Sequence, residues 1–164
     1  MACGHLREAK DSQVVREGKV VGRFVAVDQD QESLAVVERE VGMYGVEAIN
    51  ASVRNVLTGK AIFTSFDFVY AASLYDYLAL PIAQRLTEKL FAMLQPGGHL
   101  ILANFLPGIR MAGYMEACMD WWLIYRTKDE LLQCTETLPE QQIATLSLYV
   151  DEYQNIVYIE IERK

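Results

Sequence analysis

The stretch VVGRFVAV, residues 20–27, is largely apolar and ends at Asp28. Short β-branched runs of this kind are typical of strands buried on both faces of a parallel sheet. Residues 31–41 follow, with apolar side chains recurring on one helical face. The two segments together predict a strand followed by a helix, which is the repeating unit of an α/β fold.

The same alternation continues along the chain and then changes. Further strands are predicted at 46–49, 66–72 and 99–103, helices at 6–17 and 81–94, a sharp turn at 96–98 and a helical, aromatic-rich stretch within 111–133. Two final strands, 145–150 and 156–161, are joined by a loop of hairpin length. The sequence therefore predicts a doubly wound α/β fold, with a mostly parallel sheet and a C-terminal antiparallel hairpin.

Length and composition narrow the class of protein. The chain has 164 residues, which suits one domain over 1–164, and a net charge of −7, which argues against nucleic-acid binding. No apolar run is long enough to span a membrane and no signal peptide is evident, so a cytoplasmic location is expected. The three cysteines and two histidines are too widely spaced to predict a metal site; they are Cys3, Cys118, Cys134, His5 and His99.

A short turn near the start contains Gly4, between Cys3 and His5. A backbone that must pass close to a ligand needs a residue without a side chain at the crossing point, and Gly4 meets that need. The alternative is an ordinary loop glycine.

An acidic residue stands where a nucleotide-binding fold needs one. Asp28 ends the first apolar strand, roughly 20 residues after the glycine turn, which is the offset of a ribose-binding acid in doubly wound folds. Asp28 and Asp30 both precede the helix at 31–41, so one of them is expected to cap it. We assign the ribose to Asp28 and leave the cap as the alternative.

Three later segments complete the pattern. Residues 51–53 follow the second of these strands, residues 66–74 form the next strand and its loop, and residues 93–100 form a helix–turn–strand passage. In order and spacing, the five segments resemble class I S-adenosylmethionine-dependent methyltransferases. The resemblance implies S-adenosyl-L-methionine as cofactor, bound by Cys3, Gly4, His5, Asp28, Gln29, Ala51, Ser52, Val53, Ala72 and Ser73.

The sequence departs from the family pattern in three places. Leu6 stands where the family often has a further glycine, and Ser52 stands where it often has an aspartate that contacts adenine; a simple turn serine is the alternative. The central first strand that precedes the glycine turn in this family is absent before Met1. We therefore expect an N-terminally truncated methyltransferase-like domain with an impaired cofactor site and rearranged strand pairing or homo-oligomerisation.

Residues 108–126 are rich in Met, Trp and Tyr and follow the strand after which methyltransferases often build specificity. The stretch is similar to bacterial proteins that make 3-hydroxy fatty acid methyl ester signals. Under that similarity Arg126 or Arg110 holds a fatty acid carboxylate; a core-packing helix with an ion pair is the alternative. The candidate substrate residues are Leu74, Tyr75, Tyr114, Trp122 and Arg126.

The predicted function is methyl transfer to a small molecule, with O-methylation of a fatty or hydroxy acid carboxylate as the finer hypothesis. A carboxylate needs no general base, whereas an alcohol or amine needs one, for which Tyr75, Asp76 and Tyr114 are candidates. Two alternatives stay open. One is another nucleotide binder such as an NAD-dependent oxidoreductase, and the other is a non-catalytic or cofactor-impaired fragment.

Overall fold

The computed structural model describes residues 1–17 and 21–164. Its contacts fall into two compact units, Met1–Ala61 and Ile62–Lys164. The predicted helix stop at Gly18 and strand start at Val20 lie outside the described residues. The mixed α/β class with a C-terminal hairpin is confirmed.

The first unit is built on two parallel strands, in which Phe24 lies opposite Val46 and Asp28 opposite Asn50. The described pairing of the first strand begins at Phe24, and residues 21–23 before it lie outside the paired strand. The elements are α1 (Arg7–Asp11), α2 (Gln13–Glu17), β1 (Phe24–Asp28), α3 (Gln31–Val41), a 3₁₀ turn (Gly42–Tyr44), β2 (Val46–Asn50) and α4 (Val53–Leu57).

Two helical predictions in this unit had different outcomes. Helix α3 has the predicted bounds and buries Leu34, Val37 and Val41, as its apolar period requires. The helix predicted over 6–17 is two short helices, because Ser12 adopts an extended backbone conformation between them. Leu6, immediately before α1, is buried and has a left-handed backbone with φ of 48°.

The second unit contains one four-stranded sheet in the order β3-β4-β6-β5. Strands β3 and β4 are parallel, while β6 is antiparallel to both β4 and β5. The elements are β3 (Phe66–Ala71), a 3₁₀ turn (Tyr75–Tyr77), α5 (Leu80–Ala92), β4 (Leu94–Phe105), α6 (Ala112–Met119), α7 (Lys128–Leu132), 3₁₀ turns at Gln133–Thr135 and Glu140–Gln142, β5 (Ile143–Val150) and β6 (Ile156–Arg163).

The predicted turn at Pro96-Gly97-Gly98 is instead an irregularity inside β4. Leu94 lies opposite Phe66 and His99 opposite Phe68, so β4 uses more residues than β3 over this interval. A β-carbon on Gly98 would lie 2.8 Å from the carbonyl oxygen of Phe66. This contact explains the glycine, because no other residue allows the two strands to approach so closely at this point.

The aromatic stretch predicted as helical within 111–133 forms two separate helices, α6 and α7. Helix α6 ends at Met119, and its C-cap residue Asp120 has a left-handed backbone with φ of 50°. Residues 121–126 form neither helix nor strand. Their backbone hydrogen bonds are made to Met115, Asp76 and Phe105, which lie outside the segment. Those tertiary bonds replace the helical ones that local periodicity predicts.

Candidate functional site

In the first unit, the glycine turn and the carboxyl end of β1 are joined directly. The backbone N–H of Gly4 donates to Asp28 Oδ2 over 2.8 Å, and the N–H of Asp30 donates to Asp28 Oδ1 over 2.9 Å. A carboxylate has about four lone-pair positions, so each oxygen of Asp28 can accept a further hydrogen bond. The side chain is half-buried and can therefore hold a polar ligand at this edge.

The backbone at Gly4 leaves open space beside it. Gly4 has φ of 51°, and a β-carbon built there would meet no atom within 4 Å. Ala2 and Leu6 also have positive φ, 53° and 48°. Leu6 thus keeps the left-handed conformation favoured by glycine at the position where the family often has one. Left-handed non-glycine residues are strained and occur where the surrounding structure fixes them, often at ligand sites.

Asp28, the last residue of β1, and Asp30, two residues later, have separate roles. Asp30 is the N-cap of α3 and accepts hydrogen bonds from the backbone N–H groups of Glu32 and Ser33. The hydrogen bond from the Ser33 hydroxyl, followed by that from the Glu32 N–H, lowers the pKa of Asp30. Capping of α3 was the alternative role for Asp28, and the structure shows that Asp30 caps this helix instead.

The ends of β1 and β2 are tied together next to Asp28. The N–H of Ala51 donates to the carbonyl of Asp28 over 2.8 Å, and Asn50 Nδ2 donates to the carbonyl of Gln29 over 3.0 Å. Ser52 caps α4, and its hydroxyl donates to Asn55 Oδ1 over 2.8 Å. The Ser52 hydroxyl proton is therefore already donated within the protein. This capping role agrees with the alternative that Ser52 is a turn residue.

The remaining predicted residues of this unit differ in exposure. Cys3 is half-buried, and its backbone N–H donates to the carbonyl of Val27 over 3.1 Å. Burial, reinforced by the Asp28 charge, raises the pKa of the Cys3 thiol to about 11. A thiol with this pKa is protonated at neutral pH and is a poor nucleophile. His5 and Gln29 are exposed, and Val53 begins α4.

Comparison with known proteins identifies the class of this domain. Residues 1–102 match a family model described as a methyltransferase domain. The chain belongs to this methyltransferase family. No curated protein matches the chain. The methyltransferase class and the cofactor S-adenosylmethionine predicted from the sequence are confirmed by this assignment.

Solved structures of low sequence identity share the fold of this methyltransferase domain. A possible exported protein from Bordetella parapertussis is 15% identical, with a TM-score of 0.77 over 99% of this chain and 59% of that one. The N-methyltransferase NodS from Bradyrhizobium japonicum, in complex with S-adenosyl-L-homocysteine, is 14% identical, with a TM-score of 0.60 over 90% and 71%. A TehB-like S-adenosylmethionine-dependent methyltransferase from Corynebacterium glutamicum is 12% identical, with a TM-score of 0.64 over 99% and 77%. The chain thus spans 59% of the first of these structures.

The first unit of the methyltransferase domain fits the nucleoside part of this cofactor. Asp28 retains lone pairs that can accept hydrogen bonds from two ribose hydroxyls, and the space beside Gly4 is open to a ligand. In the second unit, Ala72 and Ser73 are exposed immediately after the carboxyl end of β3. That edge of parallel strands is where ligands bind in open α/β sheets.

A buried polar network follows β3 in the second unit. Asp76 is 2% exposed, and its Oδ1 accepts a hydrogen bond from the N–H of Phe105 over 2.8 Å. Asn104, fully buried at the end of β4, donates to the carbonyl of Ile124 over 2.8 Å. Asn104 was not predicted as a functional residue from the sequence, although a polar residue near the end of an apolar strand is a usable signal.

Two of the candidate substrate residues lie inside this network. Arg126 is 4% exposed, and its guanidinium donates to the carbonyls of Tyr75 and Leu78 and to Asn104 Oδ1. Tyr75 is fully buried, and its hydroxyl lies 2.8 Å from Thr87 Oγ1. Both side chains therefore have hydrogen-bond partners within the protein. Direct contact of Arg126 or Tyr75 with the substrate stays a prediction.

The other candidate substrate residues divide by exposure. Leu74 is buried, whereas Tyr114 and Trp122 are more than half exposed. Trp122 Nε1 donates to Asp120 Oδ1 over 2.8 Å. Within residues 1–17 and 21–164, no helix combines the length and the apolar character that a membrane span requires.

Proposed function

We propose that this protein transfers the methyl group of S-adenosylmethionine to a small-molecule acceptor. The observation that carries the proposal is the pair formed by Gly4 and Asp28, in which an open glycine turn is bonded to an acid with free lone pairs. Family membership supplies the cofactor that suits this pair.

The residues of the chain have distinct roles in this proposal. Asp28 accepts hydrogen bonds from the ribose hydroxyls, and Gly4 lets the backbone approach the amino-acid end of the cofactor. Ala51 and Ser52 border the adenine, while Ala72 and Ser73 border the methyl group. When bound, the cofactor supplies an activated methyl group on a positively charged sulfur. The protein then contributes mainly orientation and exclusion of water.

The acceptor is the finer part of the proposal. A fatty acid carboxylate, as in 3-hydroxy fatty acid methyl ester synthesis, would be held by Arg126 in the hypothesis made from sequence. The guanidinium of Arg126 already donates to three internal acceptors, which weakens that assignment. A neutral acceptor with an O–H or N–H group agrees better with these contacts, and O- and N-methylation are both retained.

Calorimetric titration with S-adenosylhomocysteine, beside a parallel titration with NAD⁺, tests the proposed function. Binding of S-adenosylhomocysteine alone is the expected result. Binding of NAD⁺ alone would favour the dehydrogenase alternative. Binding of neither, by a chain shown to be folded, would contradict cofactor binding by this chain and would favour the cofactor-impaired alternative.

A further inference from the structure

Strand β5 forms one edge of the four-stranded sheet in the second unit. In the order β3-β4-β6-β5, it pairs with β6 on one side. Within residues 1–17 and 21–164, no strand lies opposite its other side. Every second residue of such a strand directs its backbone N–H and C=O groups away from the sheet, where they can bond to another strand.

The charges of the C-terminal hairpin lie on its inner strand instead of its edge. Strand β5 has the sequence IATLSLYV over residues 143–150, with no charged residue and no proline. The inner strand β6 carries Glu160, Glu162 and Arg163. Most edge strands are protected from pairing with other chains by charges, prolines or bulges. Neither a charge nor a proline protects β5.

A bulge interrupts only the beginning of β5. Its pairing with β6 shifts register between Ile143 and Thr145 and is continuous from Thr145 to Val150. A bulge protects an edge only where it occurs, so residues 145–150 stay open to pairing. At the rise of an extended strand, this segment offers roughly 20 Å of backbone. We call residues 145–150 the free edge of β5.

Side chains along the free edge alternate between an apolar row and a polar row. Leu146, Leu148 and Val150 are half-buried and lie opposite buried residues of β6. Thr145 and Ser147 alternate with them on the other face of the sheet and are exposed. Half-exposed apolar side chains lose further contact with water when another strand extends the same face. The free edge therefore fits a strand with the same two rows.

A second copy of β5 has both rows in the required arrangement. Two identical strands related by a twofold axis perpendicular to the sheet run antiparallel, and each face of one strand continues the same face of the other. The apolar rows then meet each other, as do the polar rows. Because both copies use the same edge, the assembly closes at a dimer.

The acidic charge of the protein opposes this contact weakly. In such a dimer Glu160 and Glu162 on β6 would be three strand spacings, roughly 14 Å, from their equivalents in the other copy. This separation exceeds the Debye length of about 8 Å at physiological ionic strength. Asp151, which follows β5, accepts hydrogen bonds from the N–H groups of Asn155 and Ile156 within its own loop.

We propose that the free edge of β5 pairs antiparallel with the free edge of a second copy, so that a homodimer joins the two sheets into one. The proposal concerns assembly and does not rest on the proposed function. A contact of this length belongs to the small class of interfaces, which bury less than about 1,200 Å² in total. Monomer and dimer should therefore exchange at micromolar concentrations.

Sedimentation equilibrium tests the assembly between about 2 and 200 µM protein, at 50 and 500 mM NaCl. A monomer–dimer equilibrium is expected. Each copy has a net charge of −7, so salt should screen their repulsion and raise the dimer affinity about two- to fivefold. Monomer at every concentration, or assemblies larger than a dimer, would overturn the proposal. An affinity that falls with salt would also overturn it, because it would indicate an ion-paired contact.

Hydrogen exchange of the wild-type protein identifies the surface in contact. Amides of residues 143–150 should exchange more slowly at 200 µM than at 2 µM, because their outward N–H groups gain partners. The same unit has another apolar surface, where Met111, Tyr114 and Trp122 are exposed. Protection that is confined to residues 111–122 would overturn the proposal and assign the dimer to that surface.

A charged substitution on the free edge makes the test specific. Ser147 is exposed and lies opposite Glu160, so a lysine side chain can be accommodated in the folded monomer. Ser147→Lys brings two like charges together across the twofold axis and should weaken the dimer at least tenfold. Gln141→Lys is the matched control, because exposed Gln141 precedes β5 and the change in net charge is the same.

Circular dichroism of both variants checks that they are folded. The Gln141→Lys dimer should keep its affinity within about twofold of the wild type. Equal dimer affinities in the two folded variants would overturn the proposal. If Ser147→Lys does not fold, the hydrogen-exchange result for the wild-type protein decides.

Discussion

The backbone N–H of Gly4 donates to Asp28 Oδ2 over 2.8 Å across 24 positions of sequence. The bond fixes the glycine turn at the carboxyl end of β1 and aligns the acid without using all of its lone pairs. This one contact connects two residues that sequence spacing assigns to different parts of the cofactor.

Replacing Asp28 by Asn is expected to weaken S-adenosylhomocysteine binding by about 10- to 100-fold. A neutral amide accepts hydrogen bonds from ribose hydroxyls less strongly than a carboxylate, and one of its two acceptor atoms is lost. Calorimetry of the two proteins measures the change. Asp30→Asn is the matched control, because it removes the same charge two residues away while Asn remains a good helix N-cap. Equal losses in both variants would show that charge near β1, rather than contact with ribose, sets the affinity.

Replacing Gly4 by Ala is expected to reduce the free energy of cofactor binding much more than it reduces the free energy of unfolding. The left-handed backbone costs an alanine about 1 kcal/mol, while the added methyl group projects into the open space beside the turn. Gly59→Ala is the control, since Gly59 has φ of 72° and equally free surroundings in the same unit. Denaturant unfolding should give similar losses for both, and S-adenosylhomocysteine titration should separate them. An unchanged affinity in Gly4→Ala would place the cofactor away from this turn.

Replacing Gly98 by Ala is expected to destabilise the protein by about 1–3 kcal/mol. The new methyl group would lie 2.8 Å from the Phe66 carbonyl and 2.9 Å from that of Gln95, and backbone atoms cannot move aside as a flexible side chain can. Gly113→Ala, inside α6 with no atom within 4 Å, should instead stabilise by about 0.5–1 kcal/mol. Urea unfolding measures the change in the free energy of unfolding for both variants. Equal changes would mean that the backbone of β4 shifts to accommodate the added methyl group.

Asp76 is expected to make the unfolding free energy depend on pH. Because its pKa rises from 3.8 in the unfolded chain to about 6 in the folded protein, the folded state binds more protons between these values. Its contribution to stability is therefore lost as pH rises from about 4 to about 6. We expect a fall of about 1–3 kcal/mol from a shift of this size. Urea unfolding at pH 4, 5, 6 and 7.5 should show that this fall is absent from Asp76→Asn. The same slope in both proteins would assign the pH dependence to other groups.

Replacing Arg126 by Lys is expected to destabilise the protein by about 2–4 kcal/mol, since an ammonium cannot reach three acceptors arranged around a planar guanidinium. Arg110→Lys is the control because Arg110 is exposed. Thermal unfolding of the two variants measures the difference. A stable Arg126→Lys protein that binds decanoate more weakly than the wild type would instead restore the carboxylate-binding hypothesis.

The fold was more predictable from sequence than the site, and particular residues show why. The bounds of α3 could be predicted because its apolar period, its cap at Asp30 and Gly42 all act locally. The bulge at 96–98 and the irregular course of 121–126 could not be predicted, because their backbone is set by Phe66, Asp76 and Phe105, which are distant in sequence. Asp28 was predicted from its spacing and Gly4 from the need for a residue without a side chain beside a ligand, whereas the burial that changes the acidity of Asp76 depends on the packing of β3 and β4.

The strand order of the second unit also bears on how it is made on the ribosome. Strand β4 ends at Phe105, but its antiparallel neighbour β6 begins only at Ile156. During synthesis β3 and β4 can pair first, leaving one edge of β4 unsatisfied until β6 emerges. Such non-local pairing slows folding, and an unpaired apolar edge invites association with other nascent chains. Slower translation through residues 106–155 would prolong that exposure, so the yield of soluble protein should respond to codon choice in this interval.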